Sequence, residues 1–408
     1  MNDSLQDYTT APLEESRSSV LWMALLLGML ASFGPLSIDM YLPALPNLAN
    51  DLHSSTSLAQ LSLTACLLGL ASGQLFAGPI SDVRGRRGPL LAGLFIYAVS
   101  SLLCVFVPTI WTFVIMRFVQ GMAGSAGIVI SRAIVRDLYS GSEMTKFFSL
   151  LMLVNGVAPI LAPILGGQIL QVTSWRGIFM VLSGMGIVMM IAVFFGLRET
   201  LPTTLRSRGG ILNTFRTFRG LIKNKAFMGY ALTQGFVMAA MFAYISGSPF
   251  ILQNIFGVSP QMFSVFFGIN GLGIIIAGQM TGRLAGRIAE AKLLVVGLTM
   301  AFIGGMALLV MILIGGGLYS ILIPLFLVVS SVGVVGTSSF SLAMQDQAKS
   351  AGSASALIGL LSLIFGGVMA PLVGIAGSHT ALPMGIIIAV AETAAVLSYF
   401  ILVRSSRQ

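Results

Sequence analysis

Residues 58–107 read LAQLSLTACLLGLASGQLFAGPI, then SDVRGRRG, then PLLAGLFIYAVSSLLCVFV. Two apolar runs flank a short basic loop, and each run is long enough to cross about 30 Å of hydrocarbon as a helix. Working outward, the same alternation places first-half spans at roughly 20–47, 58–80, 89–107, 111–134, 146–170 and 176–197. A second set follows at about 225–250, 262–284, 292–314, 319–343, 352–375 and 382–403. Of 22 Lys and Arg residues, 20 fall in alternate gaps between these stretches, and the exceptions are Arg117, inside a span, and Arg176, at the edge of one. A cation inside hydrocarbon is costly, so Arg117 is a candidate functional residue.

Composition excludes a soluble fold: 56% of residues are hydrophobic and 9% charged, with mean hydropathy +0.96. The expected fold is all-α and integral to the membrane, with twelve transmembrane helices in two six-helix bundles. The divisions are a tail at 1–19, a bundle at 20–197, a linker at 198–224, a bundle at 225–403 and a tail at 404–408. Cationic loops favour the cytoplasm. With both termini there, Arg84, Arg86, Arg87, Arg132, Arg136 and Lys146 all lie inside and only Arg176 faces out. The net charge of +9 therefore records topology and not a nucleic-acid partner. The acidic first 19 residues and the long run behind them predict no cleaved leader. Cys66 and Cys104, in separate spans, form neither a disulfide framework nor a metal site.

Two halves of like topology suit a secondary transporter with its site between the repeats near the membrane midplane. Gly78–Arg87, GPISDVRGRR, has a faint echo at Gly278–Arg287, GQMTGRLAGR, which lacks the Asp.

Asp39 is the one carboxylate within the first six spans, set among Gly34, Pro35, Pro43 and Pro46, which loosen the helix around it. At 1.5 Å per residue it lies about 12 Å from the outer end of its span, and Arg117 about 9 Å from the outer end of span 4. Similar depth predicts an Asp39–Arg117 pair across a polar cavity. Burial favours the neutral acid and Arg117 the carboxylate, a balance suited to proton coupling; a static pair fastening span 1 to span 4 is the alternative. Glu392, in span 12, is expected at the periphery as a structural residue, with proton carriage the second option. For a cargo cavity, Tyr230, Gln234, Met238 and Met241 share one face of span 7, a pattern equally suited to helix packing. Tyr41, Gln120 and Asn155 are further polar candidates. No Gly-Lys-Ser/Thr loop offers ATP drive, and His53 and His379 have no metal-spaced partner. Neither cofactor nor metal is expected, the energy coming from a proton gradient.

The loop GPISDVRGRRG resembles the loop between spans 2 and 3 of the major facilitator superfamily. RFVQGMAGSAG from Arg117 is similar to that family's span-4 motif. APILAPILGG at 158–167 is similar to its span-5 antiporter motif, with Ala162 in place of the usual Gly. WRGIF at Trp175 and RETLP at Arg198 resemble the ends of span 6 in drug:proton antiporters, and SIDMYLPALP at 37–46 narrows the likeness to the Bcr/CflA drug-resistance subfamily. The resemblance implies a latch that forms and breaks during alternating access, built from Gly78, Asp82, Gly85 and Arg86, with Arg132 and Arg136 as partners for Asp82. It also implies antiport through Pro163, Gly166 and Gly167. The implied activity is proton-coupled export of small, mostly apolar compounds such as bicyclomycin, chloramphenicol or sulfonamides from a bacterial inner membrane by a monomer. An exporter of an endogenous amino acid or sugar is the alternative. A membrane enzyme or receptor would need a polar catalytic cluster or a large extramembrane domain, and the chain has neither.

Overall fold

The computed structural model describes residues 17–206, 218–345, 347 and 351–404. The first-half helices are α1 (Arg17–Asp39), α2 (Thr56–Arg84), α3 (Arg87–Phe106), α4 (Ile110–Leu138), α5 (Gly141–Ile169) and α6 (Trp175–Gly196). The second half has α7 (Lys225–Phe250), α8 (Pro260–Leu284), α9 (Glu290–Leu313), α10 (Leu318–Met344), α11 (Ala351–Val373) and α12 (Leu382–Ser398). The chain is thus an all-helical membrane protein of two six-helix bundles. Several helices outrun the apolar stretches: α2 and α4 reach Arg84 and Leu138, so the arginines ride on helical turns beyond the hydrocarbon. The N-terminal tail and linker residues 207–217 lie outside the described residues.

The first span is broken where its prolines require. Pro43 has no N–H to reach the Asp39 carbonyl four residues back, so α1 ends at Asp39. A 3-10 turn, Leu42–Ala44, and a short helix, Leu45–Asp51, carry the chain to the far surface.

Packing differs between the two ends. At the end opposite the arginine-rich loops, one continuous core joins the halves, with Tyr41, Leu45, Phe113 and Phe179 against Ala240, Tyr244, Leu252 and Phe263. Toward the arginine-rich end the core divides. Leu30, Tyr97, Ile134 and Val193 pack within the first half, and Tyr230, Leu298, Leu357 and Tyr399 within the second, with Leu75 of α2 against the latter. The halves are therefore fastened at one end and separate toward the other.

Among the described residues, six side-chain hydrogen bonds to main-chain carbonyls cross the fastened end. Ser57 donates to Pro371 O (2.8 Å), Gln60 to Ser246 O (2.9 Å) and Thr64 to Gly367 O (2.6 Å). Gln253 donates to Pro43 O (3.0 Å), Gln261 to Gly167 O (3.0 Å) and Ser264 to Pro163 O (2.7 Å). Several acceptors exist because a helix left them without an amide. Gly367 lies four residues before Pro371, and Gly167 lies in the last turn of α5.

Candidate functional site

Asp39 and Arg117 do not form the expected ion pair: no contact within 4 Å joins them. Arg117 is fully buried, and its Nη2 donates to the Ser37 main-chain carbonyl at 2.6 Å. That carbonyl lies in the last turn of α1, where the helix supplies no further amide. Nη1 donates to Gln120 Oε1, and Gln120 Nε2 donates to Ser101 Oγ at 2.7 Å. The guanidinium lies 4.4 Å from the Tyr41 ring centroid and 5.5 Å from that of Phe179. A desolvated cation over aromatic faces gains about 2 kcal/mol, which partly offsets the missing carboxylate. Arg117 thus grips the backbone two residues before Asp39 and leaves the carboxyl unengaged.

That network takes in two of the cargo candidates. Tyr41 is fully buried, with its hydroxyl 3.0 Å from Ser62 Oγ and its ring beneath Arg117. Gln120 is likewise buried, with both ends of its amide committed. Both support the cation. Sequence reasoning passed over Ser37, Ser62 and Ser101 because isolated serines in an apolar helix carry no pattern.

Asp39 is 5% exposed and has neither a hydrogen bond nor an ion pair among the described residues. Leu36 and Met40, on either side of it, lie in the core that joins the halves, so it sits by the seam between them. The Tyr244 hydroxyl accepts from Asn270 Nδ2 at 2.8 Å, which leaves its proton available to another acceptor. A Cβ on Gly166 would overlap the Met40 carbonyl, and one on Gly167 would come within 2.8 Å of Ser264 Oγ. The span-5 Pro-Gly-Gly set is therefore where α1's break and α8 dock. Asn155's side chain lies outside the described residues.

The span-7 stripe divides. Tyr230 is buried in the second-half core, whereas Met238 and Met241 are half-buried against the shared core. Gln234 lies between, with Oε1 unpartnered. Glu392 is not peripheral. It is fully buried against Gly305 of α9, and both carboxyl oxygens lack a partner among the described residues.

At the arginine-rich end the latch partners differ from those expected. Arg86 is 5% exposed and binds Asp82 at 2.5 Å, Asp137 at 2.8 Å and Ser81 Oγ at 2.8 Å. Arg132 and Arg136 are exposed and form no ion pair among the described residues. Burial opposes the Arg86 charge, but its bonds to Asp137 and Asp82 outweigh it and raise the pKa above the ordinary arginine value. Gly78 is under no such constraint, a Cβ there meeting Val129 at an ordinary 3.6 Å. Gly85 has φ +90°, and a Cβ there would strike the Glu199 carboxylate. Glu199 in turn accepts the amides of Arg86 (2.7 Å), Leu201 (3.1 Å) and Arg87 (3.2 Å), capping α3 from the linker. Asp137 and Glu199 lay within SRAIVRD and RETLP, but only folding shows which carboxylates reach the loop.

Burial raises the Glu199 pKa, but those three amides and the Arg206 charge outweigh it and hold the group below its ordinary 4.5. A depressed carboxyl stabilises the fold above its unfolded pKa, and that gain disappears as pH falls through the folded value. Glu199→Gln is expected to lower the Tm at pH 7, with the difference between the two proteins shrinking as the pH falls through the folded value.

On the opposite face, Arg176 binds Asp51 and donates Nε to Val105 O at 3.0 Å, while Trp175 Nε1 donates to Asp51 at 2.9 Å. The second cationic exception thus clamps α6 to the end of the broken first span.

The Major Facilitator Superfamily model matches residues 21–371. The chain belongs to the major facilitator superfamily. It is 50% identical over 382 residues to the uncharacterized MFS-type transporter YdgK of Bacillus subtilis, covering 93% of this chain and 95% of that one. It is 31% identical over 390 residues to the bicyclomycin resistance protein homolog of Haemophilus influenzae, covering 96% and 98%. The multidrug resistance protein MdtL of Klebsiella pneumoniae is 33% identical over 231 residues, covering 57% and 58%. Among solved structures, a bacterial homolog of the human lysosomal transporter Spinster, inward-facing and occupied, superposes with TM-score 0.75 at 14% identity, covering 96% and 98%. The partially occluded, inward-open xylose transporter XylE of E. coli gives 0.73 at 15% identity, covering 95% and 98%. This transporter is a multi-pass membrane protein and not an enzyme.

Proposed function

We propose that this transporter is a proton-coupled exporter of small, mostly apolar antimicrobial compounds, with its arginine-rich end and both termini cytoplasmic. Asp39 carries the proton. The observation behind this reading is a single carboxyl in a proline-made break of α1, beside the seam between the halves, with no protein partner to hold its charge. A group without a fixed partner can exchange its proton when water reaches it from alternate faces. One proton crossing about 100 mV supplies roughly 2.3 kcal/mol, enough to concentrate a neutral solute some tens-fold.

The relatives named for bicyclomycin and multidrug resistance support the choice of cargo. Half-buried Met238 and Met241 supply adaptable apolar contacts for varied ligands. With its halves joined at the far end, the conformation is closed to the outside and parted toward the cytoplasm. The test is uptake of chloramphenicol or bicyclomycin into inside-out vesicles with an imposed pH gradient, with a sugar and an amino acid as competitors. Uptake that ignores the gradient, or is blocked only by the metabolites, would overturn the reading.

The Thr64–Gly367 bond tests the conformational part. Thr64→Val removes a hydrogen bond worth about 1 kcal/mol and leaves the proline-freed carbonyl bare. A shift of about fivefold toward the outward-open population is expected. Spin-label distances across the Ser57 and Pro371 end would read it, and unchanged distances would mean that the bond does not hold the gate.

A further inference from the structure

A cleft of about 460 Å³ opens on the outer surface of the first half, between α2 and α3, floored by α4. α2 and α3 each pack closely on α4 and touch one another little, so their outer faces part along a groove. Its walls are apolar, from Gly73 and Phe76 on α2 to Ala92 and Ile96 on α3, and its one charged lining residue is Arg84. Phe76, Ile80 and Ile96 are exposed and face the bilayer. In a membrane such a cleft is filled by lipid, and the question is which lipid it selects.

The mouth answers in chemical terms. Arg86 and Arg87 are committed to protein, the latter to Phe194 O at 2.6 Å. Arg84 is exposed and makes no hydrogen bond or ion pair among the described residues. The next donor is the Gly88 amide in the first turn of α3. Glu199 takes the Arg86 and Arg87 amides, Pro89 has none, and Leu90 bonds Arg86 O at 3.2 Å. Gly88's amide is left without an intrahelical acceptor, and a Cβ on Gly88 would meet open space. A free guanidinium and a free amide at a helix start together suit a phosphate.

The dimensions fit as well. The twelve residues from Gly73 to Arg84 span about 16 Å of helix, close to half of a 30 Å hydrocarbon core. The cleft therefore runs from the interface to about the midplane, the reach of one acyl chain. We infer that this cleft is a binding site for one anionic phospholipid, with an acyl chain along the α2–α3 groove and its phosphate on Arg84 and the Gly88 amide.

Native mass spectrometry of the full-length protein, titrated with phosphatidylglycerol or phosphatidylcholine of identical chains, tests this. The wild type is expected to hold one phosphatidylglycerol about tenfold more tightly than phosphatidylcholine. Arg84→Gln should bring the two within about twofold, and Ala92→Phe, which fills the groove from an exposed position, should weaken both. Arg287→Gln, an unpaired arginine on the second half, should keep the preference. Hydrogen exchange over residues 76–96 in nanodiscs gives a second readout, slower in phosphatidylglycerol for the wild type and Arg287→Gln but not for Arg84→Gln. Equal affinity for the two lipids in the wild type, or an Arg84→Gln variant as selective as the wild type, would overturn the phosphate contact. Full binding by Ala92→Phe would move the lipid elsewhere, and displacement of the lipid by chloramphenicol would make the cleft a cargo site instead.

Discussion

Asp39→Asn is expected to reduce gradient-driven uptake into inside-out vesicles to the level of empty membranes, while leaving expression and cargo binding within about twofold. The substitution keeps the shape of the side chain and removes its ability to carry a proton. Because Asp39 makes no hydrogen bond or ion pair among the described residues, little folding energy is tied to its charge. The variant therefore isolates coupling from stability. Asp39→Glu, which keeps the acid but lengthens it within a nearly closed site, should retain a fraction of the activity. Full gradient-driven uptake by Asp39→Asn would make the carboxyl a packing residue. The fastening of α1 to α4, which an Asp39–Arg117 ion pair was one way to supply, falls instead to Arg117 and the Ser37 carbonyl.

The second large effect belongs to Gly166. A side chain there would meet the Met40 main-chain carbonyl, which belongs to the break in α1 and cannot swing aside as a side chain does. Gly166→Val should abolish transport, and even Gly166→Ala should lower it at least tenfold, since an overpacked core costs about 1–3 kcal/mol before any shift of Asp39 is counted. Gly167→Ala meets the Ser264 hydroxyl, a movable group, and should be milder, and Gly184→Ala meets nothing within 4 Å and should be silent. Thermal melting beside transport separates misfolding from a misplaced proton site. If Gly166→Ala transports normally, the approach of α1 to α5 is not what positions Asp39.

Much of the fold was legible along the chain, for a reason rooted in solvent. In hydrocarbon every main-chain polar group must be satisfied within the helix, so a long apolar run has one outcome, and its length and flanking arginines reveal it. The break at Asp39 was legible too, because a proline removes a named hydrogen bond four residues back. Gly69, Gly73 and Gly121 set α2 against α4 backbone to backbone.

Partners were not legible. Depth along a helix can be counted from its end, but rotation about the axis cannot. Asp39 and Arg117 share a depth yet face different neighbours, the arginine meeting a carbonyl that exists only because α1 stops short of Tyr41. Asp82 had three nearby arginines to choose from, and it binds Arg86, one turn along, while Asp137 and Glu199 complete the cluster from elements 51 and 113 residues away. Glu392 looked peripheral from its place in the chain order, and the packing of α12 on α9 buries it. Hydropathy and proline are local properties that a linear chain already contains, and they set the spans, their number and the kink. Which buried charge meets which group depends on how twelve cylinders rotate and lean together, and that comes only from their mutual packing.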